Sequence, residues 1–231
     1  MIPRELKRVF QEVRDFYAAG VKSNNKVYAR DDFVDRDDWD DHRQKWSVRL
    51  MAGNLFRSRN SNRELSAQNR PAPPIAGQTF PGWGRIIYNG GARAQFTSGN
   101  CMEMAAVCMA LAIDPPCSYP DAAVYLGAIT PPGDHAFCLI SMTTPRWASA
   151  SAMVRGSGNP AALVLDPWLN TLCAAEDYWE NAQAKVRKWG RDGKRIAWNG
   201  NLGRGWYNPS GAYATAFGGA PLRFIGATDQ L

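Results

Sequence analysis

No stretch of this chain approaches the ~20 consecutive apolar residues that a membrane span requires. Residues 1–20 are charged and amphipathic and lack the apolar core of a secretory signal, so export through a cleaved signal peptide is not expected. Histidine is scarce, at two residues in 231, and no CxxC pair occurs. Neither zinc nor any other metal or cofactor is therefore expected. The five cysteines are an odd number without the spacing of a small disulfide scaffold. They point to free thiols and to a reducing compartment at the site of action. No internal repeat is present, and no nucleic-acid motif accompanies the basic residues, so a nucleic-acid partner is not expected.

What the chain does have is a core. At 231 residues, with 45% apolar side chains and nine tryptophans, it is long enough for one full domain with a helical extension. The net charge is +6. Seven basic residues (Lys185, Arg187, Lys188, Arg191, Lys194, Arg195 and Arg204) stand against one acid, Asp192, in a single segment. The reading adopted is a solvated basic face; the alternative is a footprint for an acidic partner.

In chain order, residues 3–19 read as a helix with Leu6, Val9, Phe10, Val13, Phe16 and Tyr17 on one stripe. Seven acids between Asp31 and Asp41 open a second helix that runs to Met51, with Trp39, Trp46 and Leu50 inward and His42 exposed. This run lacks the glycine and closing glutamate of a calcium loop. Residues 53–84 read as a linker or draped loop, with Pro71-Ala72-Pro73-Pro74 and Gly82-Trp83-Gly84, and a boundary is placed near residue 75. Ile86-Ile87-Tyr88 reads as a short strand ended by Asn89-Gly90-Gly91. A buried helix follows from Cys101 to Ile113, then a short helix over 120–128 and a turn at Pro131-Pro132-Gly133. Strands are read at 135–142 and 159–166, a helix over 174–189, a strand at 195–198, loops and short strands over 199–219, and a last strand at 222–225. Trp168 is assigned to the core, with a lid as the other reading.

The chemistry centres on Thr97-Ser98-Gly99-Asn100-Cys101-Met102-Glu103. Asn100 is a favourable N-cap, and Glu103 three residues on suits a capping box. Cys101 then occupies the first helical position, where the helix dipole favours an anionic sulfur. If 135–142 and 159–166 pair antiparallel in symmetric register, His135 and Asp166 face each other at one rim of the sheet. A helix-leading thiol, a strand-leading imidazole and a strand-ending carboxylate make a nucleophile, a base and an orienting group. Gln95 is assigned to the oxyanion beside the backbone N–H of Cys101. Asp134 is the alternative orienter, although an adjacent strand residue points to the opposite face. Cys108, Cys138 and Cys173 read as buried, and Cys117, after two prolines, as exposed.

Gly99-Asn100-Cys101-Met102-Glu103-Met104-Ala105, Asp134-His135-Ala136-Phe137 and Val164-Leu165-Asp166-Pro167-Trp168 resemble the three core motifs of the papain-like and transglutaminase-like cysteine hydrolases. The resemblance covers about residues 95–170. Gln95, six residues before the cysteine, resembles the oxyanion glutamine of the papain branch. The intervals, 34 residues from Cys101 to His135 and 31 from His135 to Asp166, resemble the deamidase and protease effectors of bacterial pathogens more than digestive proteases. The His-to-Asp interval is longer than in the toxin deamidases.

The resemblance implies an α+β fold: a central helix packed on an antiparallel sheet, here a Cys-His-Asp domain over 76–231 with an N-terminal helical extension over 1–75. It implies a thiol-dependent acyl-transfer enzyme acting on carboxamides of a host or rival-cell protein. Glutamine deamidation or transglutamination leads, with proteolysis and cleavage of cell-wall peptides as alternatives. It also implies a secreted effector or toxin that works in a reducing cytoplasm, with a chaperone or secretion partner for residues 1–75. The non-enzyme alternative is a protein-binding module with a degenerate site.

Overall fold

Helix α1 (Arg4–Ala18) follows directly from its apolar spacing: Leu6, Val9, Phe10, Val13 and Tyr17 are all buried on one face. The computed structural model describes residues 2–18, 26–28, 79–93, 101–114, 121–157, 161–200 and 203–229. The acidic run 31–41 with the helix to Met51, His42, the linker up to residue 78, Gln95, Asn100 and Cys117 lie outside the described residues. Strand β1 (Lys26–Tyr28) follows α1.

Helix α2 (Phe80–Arg93) corrects the reading of Gly82-Trp83-Gly84 as loop and of Ile86-Ile87-Tyr88 as strand. Thr79 caps it, its Oγ1 accepting from the Gly82 N–H at 3.2 Å, and Pro81 fits the first turn, where its missing N–H costs nothing. Gly84 is there for packing. A Cβ on Gly84 would come within 2.0 Å of the Ala106 carbonyl oxygen, so its absence lets α2 lie directly against helix α3 (Cys101–Ala112). Helix α3 is apolar on every side and has no preferred face, which suits a helix surrounded by protein. Helices α1 and α2 cover one side of it, and the main sheet covers the other. Glu103, in its first turn, is buried near Tyr17 of α1, whose phenol is held above its ordinary pKa by burial and then by that carboxylate.

The main sheet is antiparallel throughout, in the order β5-β4-β3-β2-β8. Its strands are β2 (Ala123–Ile129), β3 (His135–Ser141), β4 (Leu163–Asp166), β5 (Thr171–Ala174) and β8 (Leu222–Gly226). Strand β2 corrects the helix read over 120–128. Its Val124, Tyr125, Leu126 and Ile129 suit a pleated surface, and it gains partners on both edges, β3 and β8. Central β3 is buried at every position. Strand β5 is absent from the sequence reading; the Pro167–Asn170 turn returns the chain at once, with Asn170 at φ 56°.

Helix α4 (Tyr178–Arg191) follows β5. Strands β6 (Lys194–Gly200) and β7 (Gly203–Tyr207) form a second antiparallel sheet with β1, in the order β1-β6-β7. A π-turn at Pro209–Tyr213 leads into helix α5 (Ala214–Gly219), a correction to the loops and strands read for that stretch. The described chain is therefore α+β. Among the described residues, no helix is long and apolar enough to cross a membrane.

Candidate active site

The sheet and α3 bring three chain segments to one place. His135 opens β3, Asp166 closes β4, and Cys101 opens α3, which packs on both strands. The β3–β4 register is Cys138 opposite Leu165 and Ile140 opposite Leu163. Extended to the rim, it puts Asp166 across from Phe137, two residues away from the symmetric register. That is a correction to the register but not to the face. A slip of two preserves the side-chain alternation, so His135 and Asp166 become diagonal neighbours on one side of the sheet. A diagonal gap is within reach of an imidazole, and His135 Nε2 lies 2.7 Å from Asp166 Oδ2.

Asp166 is completely buried, yet both of its oxygens are satisfied. Oδ2 also accepts from the Tyr178 hydroxyl at 2.8 Å, and Oδ1 accepts from the Leu169 N–H at 2.9 Å. A buried carboxylate persists only with such company. Asp134 is not part of this set. It sits on the turn before β3 with φ 46° and is exposed.

The imidazole is clamped between aromatic rings, Trp168 at 5.0 Å and Phe217 at 5.2 Å between centroids. Trp168 in turn meets Trp189 of α4 edge-on at 5.2 Å, and only 2% of it is exposed, so it is both core and a cover for His135. Burial alone lowers the basicity of His135. The charge and hydrogen bond of Asp166 outweigh that, with Cys101 adding to them, and the pKa rises from 6.5 to about 10. The imidazole therefore carries its proton through neutral pH. Its second nitrogen, Nδ1, is buried and makes no hydrogen bond among the described residues. With Asp166 on Nε2, Nδ1 is the ring nitrogen outside that pair, and the thiol that bears on the ring is that of Cys101. That sulfur is close enough to act on the ring, short of a well-formed hydrogen bond.

The other described thiols have different surroundings. Cys108 and Cys138 are fully buried and adjacent across α3 and β3; burial first, then Cys138, raises the Cys108 pKa well above its ordinary value. Burial pushes Cys173 up to about 12, against a weaker opposing bond from Asn181. Neither Cys108 nor Cys173 is an anion at neutral pH. All four described cysteines are free, and among the described residues no group of His, Cys, Asp and Glu is placed to hold a metal ion.

Two tyrosines complete the surroundings and were missed in the sequence. Tyr178 leads α4, 12 residues after Asp166, and nothing local marks it as a partner of the carboxylate. Tyr213 ends the π-turn; burial, then Cys101, Asp166 and Asp134, hold its phenol protonated. Part of the basic segment lies on the exposed side of α4: Arg187, Lys188 and Arg191 face solvent, and Lys188 pairs with Asp192 at 2.8 Å. Lys194 lies 5.4 Å from the Trp189 ring.

Comparisons with protein-family models, curated proteins and solved structures give no match to this chain, so its site is read on its own geometry.

Proposed function

We propose that this chain is a thiol-dependent acyl-transfer enzyme of the papain-like or transglutaminase-like kind, acting on carboxamide side chains of a target protein. One observation supports the reading: a buried His135–Asp166 pair, bonded through Nε2, leaves Nδ1 without a hydrogen bond, and the cysteine at the head of a buried helix bears on the same ring. A protonated imidazole beside the sulfur is the proton source that a departing amine needs.

The thiolate of Cys101 attacks the carboxamide carbon and forms a C–S bond. The C–N bond then breaks as His135 Nδ1 gives its proton to departing ammonia, which leaves a thioester. Water, or a lysine amine, attacks that thioester and loses its proton to His135. The C–S bond breaks, and the product is a glutamate or a cross-link. Asp166 holds the ring in one tautomer and balances its charge throughout. The backbone N–H of Cys101 and the side chain of Gln95, which lies outside the described residues, are the proposed oxyanion donors. Free thiols suit an effector that works in a reducing cytoplasm after delivery from another cell.

The test is intact-mass analysis of candidate host or rival-cell proteins exposed to the full chain and to Cys101→Ala. Deamidation adds ~1 Da, transglutamination joins chains, and peptide cleavage shortens them, the outcome that moves the reading to a protease. Any of these changes persisting with Cys101→Ala removes the enzyme reading.

A further inference from the structure

The geometry points to Tyr178 as a positioning residue: its hydroxyl shares one oxygen of Asp166 with His135, and so fixes the carboxylate and limits its pull on the imidazole. The inference rests on the proposed roles of Cys101, His135 and Asp166. Two donors meet Asp166 Oδ2, His135 Nε2 at 2.7 Å and Tyr178 Oη at 2.8 Å, while Oδ1 is anchored by the Leu169 N–H at 2.9 Å. All three side chains are buried, so solvent does not replace a donor that is lost. Donors on one oxygen compete for its electron density, so withdrawing one strengthens the bond to the other.

Position and chemistry both suit the role. Tyr178 is the first residue of α4, directly after a tight turn at Ala175–Asp177, so its backbone is fixed relative to β5. Its ring packs on Phe137 at 4.7 Å and on Phe217 at 6.3 Å, the same Phe217 that covers the imidazole. Burial, followed by the Asp166 carboxylate, keeps the phenol well above its ordinary pKa, so it remains a donor over the whole working range. Phenylalanine at 178 preserves the ring and removes only the hydroxyl.

The chain has two histidines, so His42→Gln leaves a single imidazole for NMR. In the full chain carrying that change and ¹⁵N-histidine, the His135 Nε2–H proton reports the strength of its bond to Asp166. Tyr178→Phe is expected to move this signal downfield, and 3-fluorotyrosine placed at 178, a stronger donor in the same ring, to move it upfield. Leu126→Ala on β2, a loss of packing away from the pair, is expected to lower the melting temperature and leave the signal in place. An unmoved signal in a folded Tyr178→Phe chain overturns the inference. If that variant does not fold, an unmoved or downfield signal with fluorotyrosine does so, as does an equal shift in Leu126→Ala. A parent chain in which iodoacetamide labels Cys101 no faster than the other cysteines removes the acyl-transfer reading, while the NMR arms still decide Tyr178.

Discussion

Replacing Asp166 by asparagine keeps the shape of the side chain and removes its charge. The ring of His135 then keeps the burial that lowers its basicity and loses the group that raises it, so its pKa falls from about 10 to below the ordinary 6.5. In the parent chain a folded-state pKa above the unfolded one means stability that is fully present below pH 6.5. It drains away as the pH rises towards 10. At about 1.4 kcal/mol per pKa unit, and given the measured cost of breaking buried pairs, the loss in Asp166→Asn at pH 6 is about 3 to 5 kcal/mol. The gap between the two chains narrows as the pH approaches 10, because the variant has no raised pKa to lose. Urea unfolding followed by tryptophan fluorescence at pH 6, 7, 8 and 9 reads this directly. A parent chain equally stable from pH 6 to 9, or a variant that loses less than about 1 kcal/mol at pH 6, refutes the account of the pair.

Cys101→Ala removes a small, nearly buried thiol from a helix start and is expected to leave the melting temperature within a few degrees while abolishing every covalent product; circular dichroism and intact mass check both. Gly127→Ala places a Cβ 2.4 Å from the ring of Phe137, which is fully buried and has nowhere to retreat, so a loss of about 1 to 3 kcal/mol is expected in chemical denaturation. Trp168→Ala removes the cover of His135 and the contact with Trp189, with an expected cost of about 3 to 5 kcal/mol and faster exchange of the His135 ring proton with solvent.

The parts of the fold written in local periodicity were legible. The stripe Leu6, Val9, Val13, Tyr17 gives α1, and the apolar run after Cys101, broken only by Glu103, gives a helix with no exposed face. The apolar run after His135 gives a strand buried on both sides. Residues whose conformation is decided by a distant neighbour were misread. Val124 to Ala128 is a strand because β3 and β8 flank it. Gly84 sits in a helix rather than a loop, where the Ala106 backbone lies so close that no side chain fits. The His135–Asp166 relation depended on parity alone, so a register wrong by two left both residues on one face. Tyr178 was invisible, since its tie to Asp166 is made by the β5 return and the turn into α4 rather than by any spacing in the chain.

The most direct test of the account is site-resolved alkylation of the five cysteines with iodoacetamide at pH 6, quenched over time and read by peptide mass. Cys101 is expected to label far faster than Cys108, Cys138 and Cys173, and to lose that advantage in His135→Ala. Uniformly slow labelling, or a fast Cys101 indifferent to His135, contradicts an imidazole-activated sulfur at the head of α3.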